Sequence, residues 1–201
     1  MSNYPAKLAV VSPDFVTVEA DESPCGPRRL VFLNAYTILT VERLGRGFRF
    51  GEARQVDESG TRGVDLLMDL AGHLDADTSL VGYRLDQVIG SLVQVPCDDP
   101  RDAACKPALL RLQASLANDV QDAAWFDHDR HRSLEQLAGD YSLPAEWHRK
   151  SRQSNPNMLE RELSAKAQSA WLLIAHELLP TSELRRATAD YDQWRTAHSI
   201  V

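Results

Sequence analysis

Four apolar residues stand in a row at Leu30-Val31-Phe32-Leu33, with the breaker Cys25-Gly26-Pro27 before them and Asn34 after them. A run that short, without alternation, predicts a strand buried on both faces. The edge onto which such a strand opens is where α/β sheets form ligand sites. Residues from Asn34 onward are therefore the first place to look for function.

The chain has 201 residues, 43% of them hydrophobic and 25% charged, enough for one domain with a substantial core. Its start, MSNYPAKLAVVSPDF, has no long apolar segment behind a basic one, so no leader is expected. No stretch approaches the roughly 18 apolar residues of a membrane span; Ala170 to Ala175 reads instead as a core helix segment. Cys25, Cys97 and Cys105 are odd in number and lack CxxC spacing, which fits a cytoplasmic, reducing setting. A Cys97/Cys105 bridge or metal pair is the alternative reading.

A net charge of −7 argues against a sequence-independent nucleic-acid binder with a broad basic footprint. Basic residues do gather locally, at Arg43, Arg46, Arg49 and Arg54, and again at Arg130, His131, Arg132, His148, Arg149, Lys150 and Arg152. Each group reads first as a solvated face or loop.

In chain order, residues 1–28 mix short apolar pieces, Leu8 to Val11 and Phe15 to Val18, with the acidic, Pro-rich connector Asp21-Glu22-Ser23-Pro24, and read as an irregular N-terminal arm that contributes at most an edge strand. Leu30 onward, Thr37 to Arg43 and Arg46 to Val56 read as three strands of an antiparallel meander. Helical spacing of Val64, Leu67, Met68, Leu70, Ala71 and Leu74 predicts a first helix. A short strand at Thr78 to Gly82 and a helix carrying Leu85, Val88, Ile89 and Leu92 follow. A further helix is expected around Leu109 to Leu116, and a last strand at 120–126. Ser133-Leu-Glu-Gln136 forms a capping box for the next helix. Long apolar spacing predicts a helix from Met158 to Leu179, and Leu184, Ala187, Tyr191 and Trp194 line a final one. The fold class is α/β, a mixed sheet with an antiparallel meander, flanked by helices. Residues 29–179 form its body, and the helix within 180–201 packs on it.

The order of parts resembles the ribonuclease H-like 3′–5′ exonucleases of the DEDD type. Leu30 to Thr37 (LVFLNAYT) looks like the family's first strand, an apolar run followed by Asp-x-Glu-Thr. Leu80 to Leu92 (LVGYRLDQVIGSL) looks like its second motif, Val-Gly-His-Asn leading to Phe-Asp. Ser133 to Pro144 and Leu159 to Leu173 look like its Ser-Leu helix and third motif. The resemblance implies two divalent ions held by carboxylates. In this register those positions carry Asn34, Tyr36, Val88 and Lys166, and no family carboxylate remains. Substitutes for them are Asp86, Asp127 and Glu162, although Glu162 stands four residues before Lys166 and fits an intrahelical ion pair.

Other constellations read as structural. Asp127-His-Asp-Arg-His131 is a polar loop before the Ser133 cap, with transition-metal ligation as the alternative. His73 and His176 are placed on helices and read as structural histidines. Trp171 and Trp194 fit core stripes, which leaves Trp147, in the basic Glu146 to Lys150 loop, as the exposed stacking candidate. There is no G-x-S-x-G and no phosphate loop.

Three functions follow. The first is an inactive exonuclease-like domain that binds nucleic acid or a protein through Tyr83, Arg84, Trp147, Arg149, Lys150 and Lys166, without metal or cofactor. The second is an active nuclease with relocated ligands that uses Mg²⁺ or Mn²⁺. The third is a protein-interaction module or homo-oligomer that uses the Tyr191/Trp194 face.

Overall fold

The computed structural model describes residues 4–20, 28–45, 47–57, 63–74, 77–92, 107, 110, 120–126, 132–141 and 156–198. Its centre is not the Leu30 run. Lys7–Ala20 forms β1, the middle strand of a five-stranded sheet, where the sequence predicts an arm. Apolar residues alternate faces along it: Leu8 and Val10 enter one core, Ala9 and Val11 the other. Pro13 is tolerated because the ladder to the neighbouring parallel strand ends at Val10, so its missing N–H interrupts no bond there.

Arg28–Leu44 is one 17-residue strand, β2, and Gly47–Val56 is β3, so two strands stand where three were expected. β1, β2 and β3 make the antiparallel meander. After α1 (Gly63–Gly72), β4 (Ser79–Gly82) returns parallel to β1. After α2 (Leu85–Leu92), β5 (Val120–Asp122) lies parallel to β4. The order is β3-β2-β1-β4-β5, with β2 alone running against the rest. The expected last strand stops at Asp122, and residues 123–126 turn into a single 3₁₀ helix. The helix expected around Leu109 to Leu116 lies outside the described residues.

Only Leu33 of the apolar run is buried; Leu30, Val31 and Phe32 are half-buried. There β2 pairs with β1 alone, in a two-stranded ribbon that extends past β3. At its base the register slips. Asp14 faces Ala35 and Phe15 faces Leu33, so Asn34 is the extra residue of a β-bulge. The slip puts Leu33 in the core beneath α1, and Ala35 in the one beneath the long helix Pro156–Leu178.

α1 and α2 cover one face of the sheet through Leu66, Leu67, Leu70, Leu85, Ile89 and Leu92. α3 (Leu134–Asp140), α4 (Pro156–Leu178) and α5 (Thr181–His198) cover the other. Ser133 caps α3 in the expected box: its hydroxyl accepts from Gln136 N (3.3 Å), and the Gln136 amide oxygen accepts from Ser133 N (2.7 Å). Trp171 is fully buried, and its Nε1 donates to Tyr4 Oη at 2.9 Å. Phe50 meets Trp171 and Tyr191 edge-on, with centroids 4.9 and 5.3 Å apart. Tyr191 is thus buried in the domain's own core, and Trp194 packs partly against it. Among the described residues, no helix is long and apolar enough to cross a membrane.

Candidate functional site

β1 leads leftward into β2 and β3, and β4 leads rightward into β5, so the carboxyl end of β4 and the stretch of β1 just past Val10 flank the point where the strand order reverses. That crevice is where open α/β sheets bind ligands. Gly82 lets the two strand ends approach: a Cβ there would lie 2.8 Å from Leu85 Cδ1 and 3.4 Å from the Val11 carbonyl oxygen. On the β1 side stand Ser12, buried, and Asp14, which accepts from Asn34 Nδ2 at 3.1 Å. The bulge turns Asn34 onto that carboxylate.

On the β4 side the chain passes through Tyr83 and Arg84 into α2. Arg84 has a φ of 53°, in the left-handed region that non-glycine residues avoid. Asp122 holds it there. That carboxylate, only 5% exposed, accepts from the backbone N–H of Arg84 (2.8 Å), Leu85 (2.8 Å) and Ala124 (2.9 Å). The first amides of α2 and the 3₁₀ turn are thereby tied to one side chain. The Arg84 guanidinium lies 5.4 Å from the centre of the Tyr83 ring, and the Tyr83 hydroxyl donates to the Arg132 carbonyl. Just past Asp122, Trp125 is 57% exposed.

The positions taken from the resemblance do not converge. Tyr36 is buried beneath α1, on the opposite face of the sheet from α4, and its hydroxyl donates to Asp69. Burial first, and that hydrogen bond second, push the pKa of the Tyr36 phenol well above its ordinary value, so it is a neutral donor. Val88 packs on the same α1 side. Lys166 belongs to α4 and pairs with Glu162 at 2.6 Å, as the i,i+4 spacing predicts. Asn34 and Tyr36 sit on β2, beside the central strand β1 and antiparallel to it, with Tyr36 turned to the α1 face. Of the substitute acids, Asp86 is solvent-exposed in the first turn of α2, and Asp127 lies outside the described residues. Trp147, Arg149 and Lys150 lie outside them too. Among the described residues no three His, Cys, Asp or Glu side chains gather around a common point.

The basic groups are largely engaged where they are described. Arg43 pairs with Glu183 at 2.6 Å, Arg49 with Glu42, Arg54 with Glu52, and Arg132 with Asp140. Exposed pairs of this kind contribute little to stability.

Two residues of the crevice escape sequence reading. Asp122 ends a three-residue strand and carries no motif. Trp125 is hidden because residues 120–126 read as one strand, whereas residues 123–126 form a 3₁₀ turn. Comparison with protein-family models, with curated proteins and with solved structures finds no match to this chain.

Proposed function

We propose that the chain is a ribonuclease H-like domain of the 3′–5′ exonuclease type that has lost its metal ligands and binds single-stranded nucleic acid without cutting it. The observation that carries this reading is the inventory of the β1/β4 crevice. An arginine stacked on a tyrosine and an exposed tryptophan border it, while its carboxylates are separately engaged. Two-metal phosphoryl chemistry needs several carboxylates aimed at one point. Stacking on an aromatic and pairing of phosphate with a cation need neither.

The sheet supports the fold half of the proposal. A three-strand antiparallel meander followed by parallel strands, with helices on both faces, is what the resemblance implies. With β1 as the first strand, the apolar run Leu8 to Val11 is followed by Ser12-Pro13-Asp14. The Asp and Glu places of the first motif then fall on Ser12 and Asp14. Leu85-Asp86, directly after Val81-Gly82-Tyr83-Arg84, takes the Phe-Asp place of the second motif with shorter spacing. Asp14 and Asp86 survive from the acidic set, and the neutral Ser12 stands where the first ligand belongs.

The test is fluorescence anisotropy of labelled single-stranded DNA and RNA oligonucleotides with the full chain, at low and high salt, with Mg²⁺ or Mn²⁺ present. The proposal expects salt-sensitive binding and intact oligonucleotide. Truncating Trp125 to alanine should weaken binding by about 1–3 kcal/mol. Digestion that is lost in Asp14→Asn would replace it with an active nuclease. Absence of binding to either nucleic acid would end it.

A further inference from the structure

We infer that the far half of β1, residues 14–20, is a self-pairing edge through which two copies of this chain join into one continuous sheet. Past Val10 no described strand pairs with β1 on its β4 side, while β2 runs along its other side to the end. That leaves an open row of backbone donors and acceptors, the usual template for a further strand. Val16, Thr17, Val18 and Glu19 are all exposed there, whereas Leu30, Val31 and Phe32 across the ladder are half-buried. The bare side of the ribbon is therefore that of β1.

The side chains suit such an edge. Val16 and Val18, 44% and 46% exposed, share one face of the ribbon with Phe32 and Leu30, their opposite numbers on β2. Two apolar rows thus run across the ribbon and stop at the unpaired strand. The devices that keep natural edges apart, a lysine or a proline, are missing from residues 14–20; Pro13 stands just before them.

The occupant is a second copy because the stretch is symmetric about Thr17. A two-fold axis there sets Val16 against the partner copy's Val18, Thr17 against its own counterpart, and Phe15 against Glu19. β-branched and Thr–Thr pairs directly opposite one another are favourable. The acids of the stretch never meet, since Asp14 falls opposite Ala20 and Glu19 opposite Phe15. Each apolar row then continues through four strands: Phe32, Val16, and the partner copy's Val18 and Leu30. The two bodies do not collide in this register, because the partner copy's β4 stops beside Val10 and so lies beyond the tip of this ribbon. Seven paired residues span only about 23 Å and bury less than the roughly 800 Å² per partner of a standard interface. The dimer is therefore weak and exchanges with monomer. It does not rest on the nucleic-acid reading.

Sedimentation equilibrium of the full chain, without nucleic acid, is the test. The mass should rise with concentration from 22.5 kDa toward twice that value. Val16→Lys puts a charge on an exposed position of the edge, and should abolish the rise while leaving the urea midpoint unchanged. Thr17→Cys brings two thiols to the axis with Cα atoms about 5 Å apart, and mild oxidation should link the dimer by a disulfide above the wild-type level. Glu19→Cys sets its thiols about 13 Å apart and should not. The proposal is overturned by a mass that stays at 22.5 kDa at every concentration, by a dimer that persists in Val16→Lys, or by cross-linking as ready in Glu19→Cys as in Thr17→Cys.

Discussion

Replacing Asp122 with alanine removes the acceptor for three backbone amides at once. Hydrogen bonds to a charged group contribute about 1.5–3 kcal/mol each, and an orphaned buried donor costs about 1–3 kcal/mol. The Leu85 N–H is buried and bears the full penalty, while those of Arg84 and Ala124 are part-buried and regain water. Taking about 2 kcal/mol for the first and about 1 kcal/mol for each of the others gives a loss of about 4 kcal/mol. That is a large fraction of the roughly 5–15 kcal/mol that holds a domain folded. Asp122→Asn keeps the shape but turns an NH₂ toward an amide donor, so it should recover only part of the loss. Urea unfolding followed by far-UV circular dichroism measures both variants. The midpoint should fall with the slope unchanged, and Tm should drop by roughly 8–16 °C. An Asp122→Asn variant within about 0.5 kcal/mol of wild type, as for a surface change, would refute the view that one carboxylate organises this edge.

Other consequences can be measured alongside. Burial pushes the pKa values of Tyr4, Tyr36 and Tyr191 well above the ordinary phenol value, and the hydrogen bond to Glu177 pushes that of Tyr141 up to about 12. A folded-state value above the unfolded one of about 10 means stability is intact below pH 10 and is lost as pH rises further. Urea midpoints measured across the alkaline range should therefore fall together with the rise of tyrosinate absorbance. Phe50→Ala, at the centre of the ring cluster with Trp171 and Tyr191, should cost about 3–5 kcal/mol and flatten the near-UV dichroism. Glu162→Gln breaks a partly exposed pair with Lys166, and the unfolding free energy should change by less than about 1 kcal/mol.

Helices are legible in this sequence because their apolar spacing is long and their caps are explicit. Leu85 to Leu92 and the Ser133 box appear where they are read, and Met158 to Leu179 differs by only a residue or two at its ends. The sheet's centre is not legible, and the reason is Pro13. A proline within an apolar alternation argues for an edge, yet here it sits beyond the last β1–β4 pair and does no harm. With β1 read as an arm, Asn34 and Tyr36 are taken from its neighbour β2. The helical site residues suffer less: the Glu162–Lys166 pair depends only on local spacing. Asp122 and Trp125 are illegible because a short strand and the 3₁₀ turn after it are contiguous, with no breaker residue between them.

The bulge at Asn34 has an evolutionary corollary. Leu33 and Ala35 are two positions apart yet point to opposite faces, because one residue between them is surplus to the ladder. Excising Asn34 would leave both arms of β2 correctly oriented and merely regularise the pairing. A one-residue deletion anywhere else in the strand would invert a whole arm and turn its apolar set to water. Length variation in this strand is therefore tolerable at a single position, and that position borders the crevice.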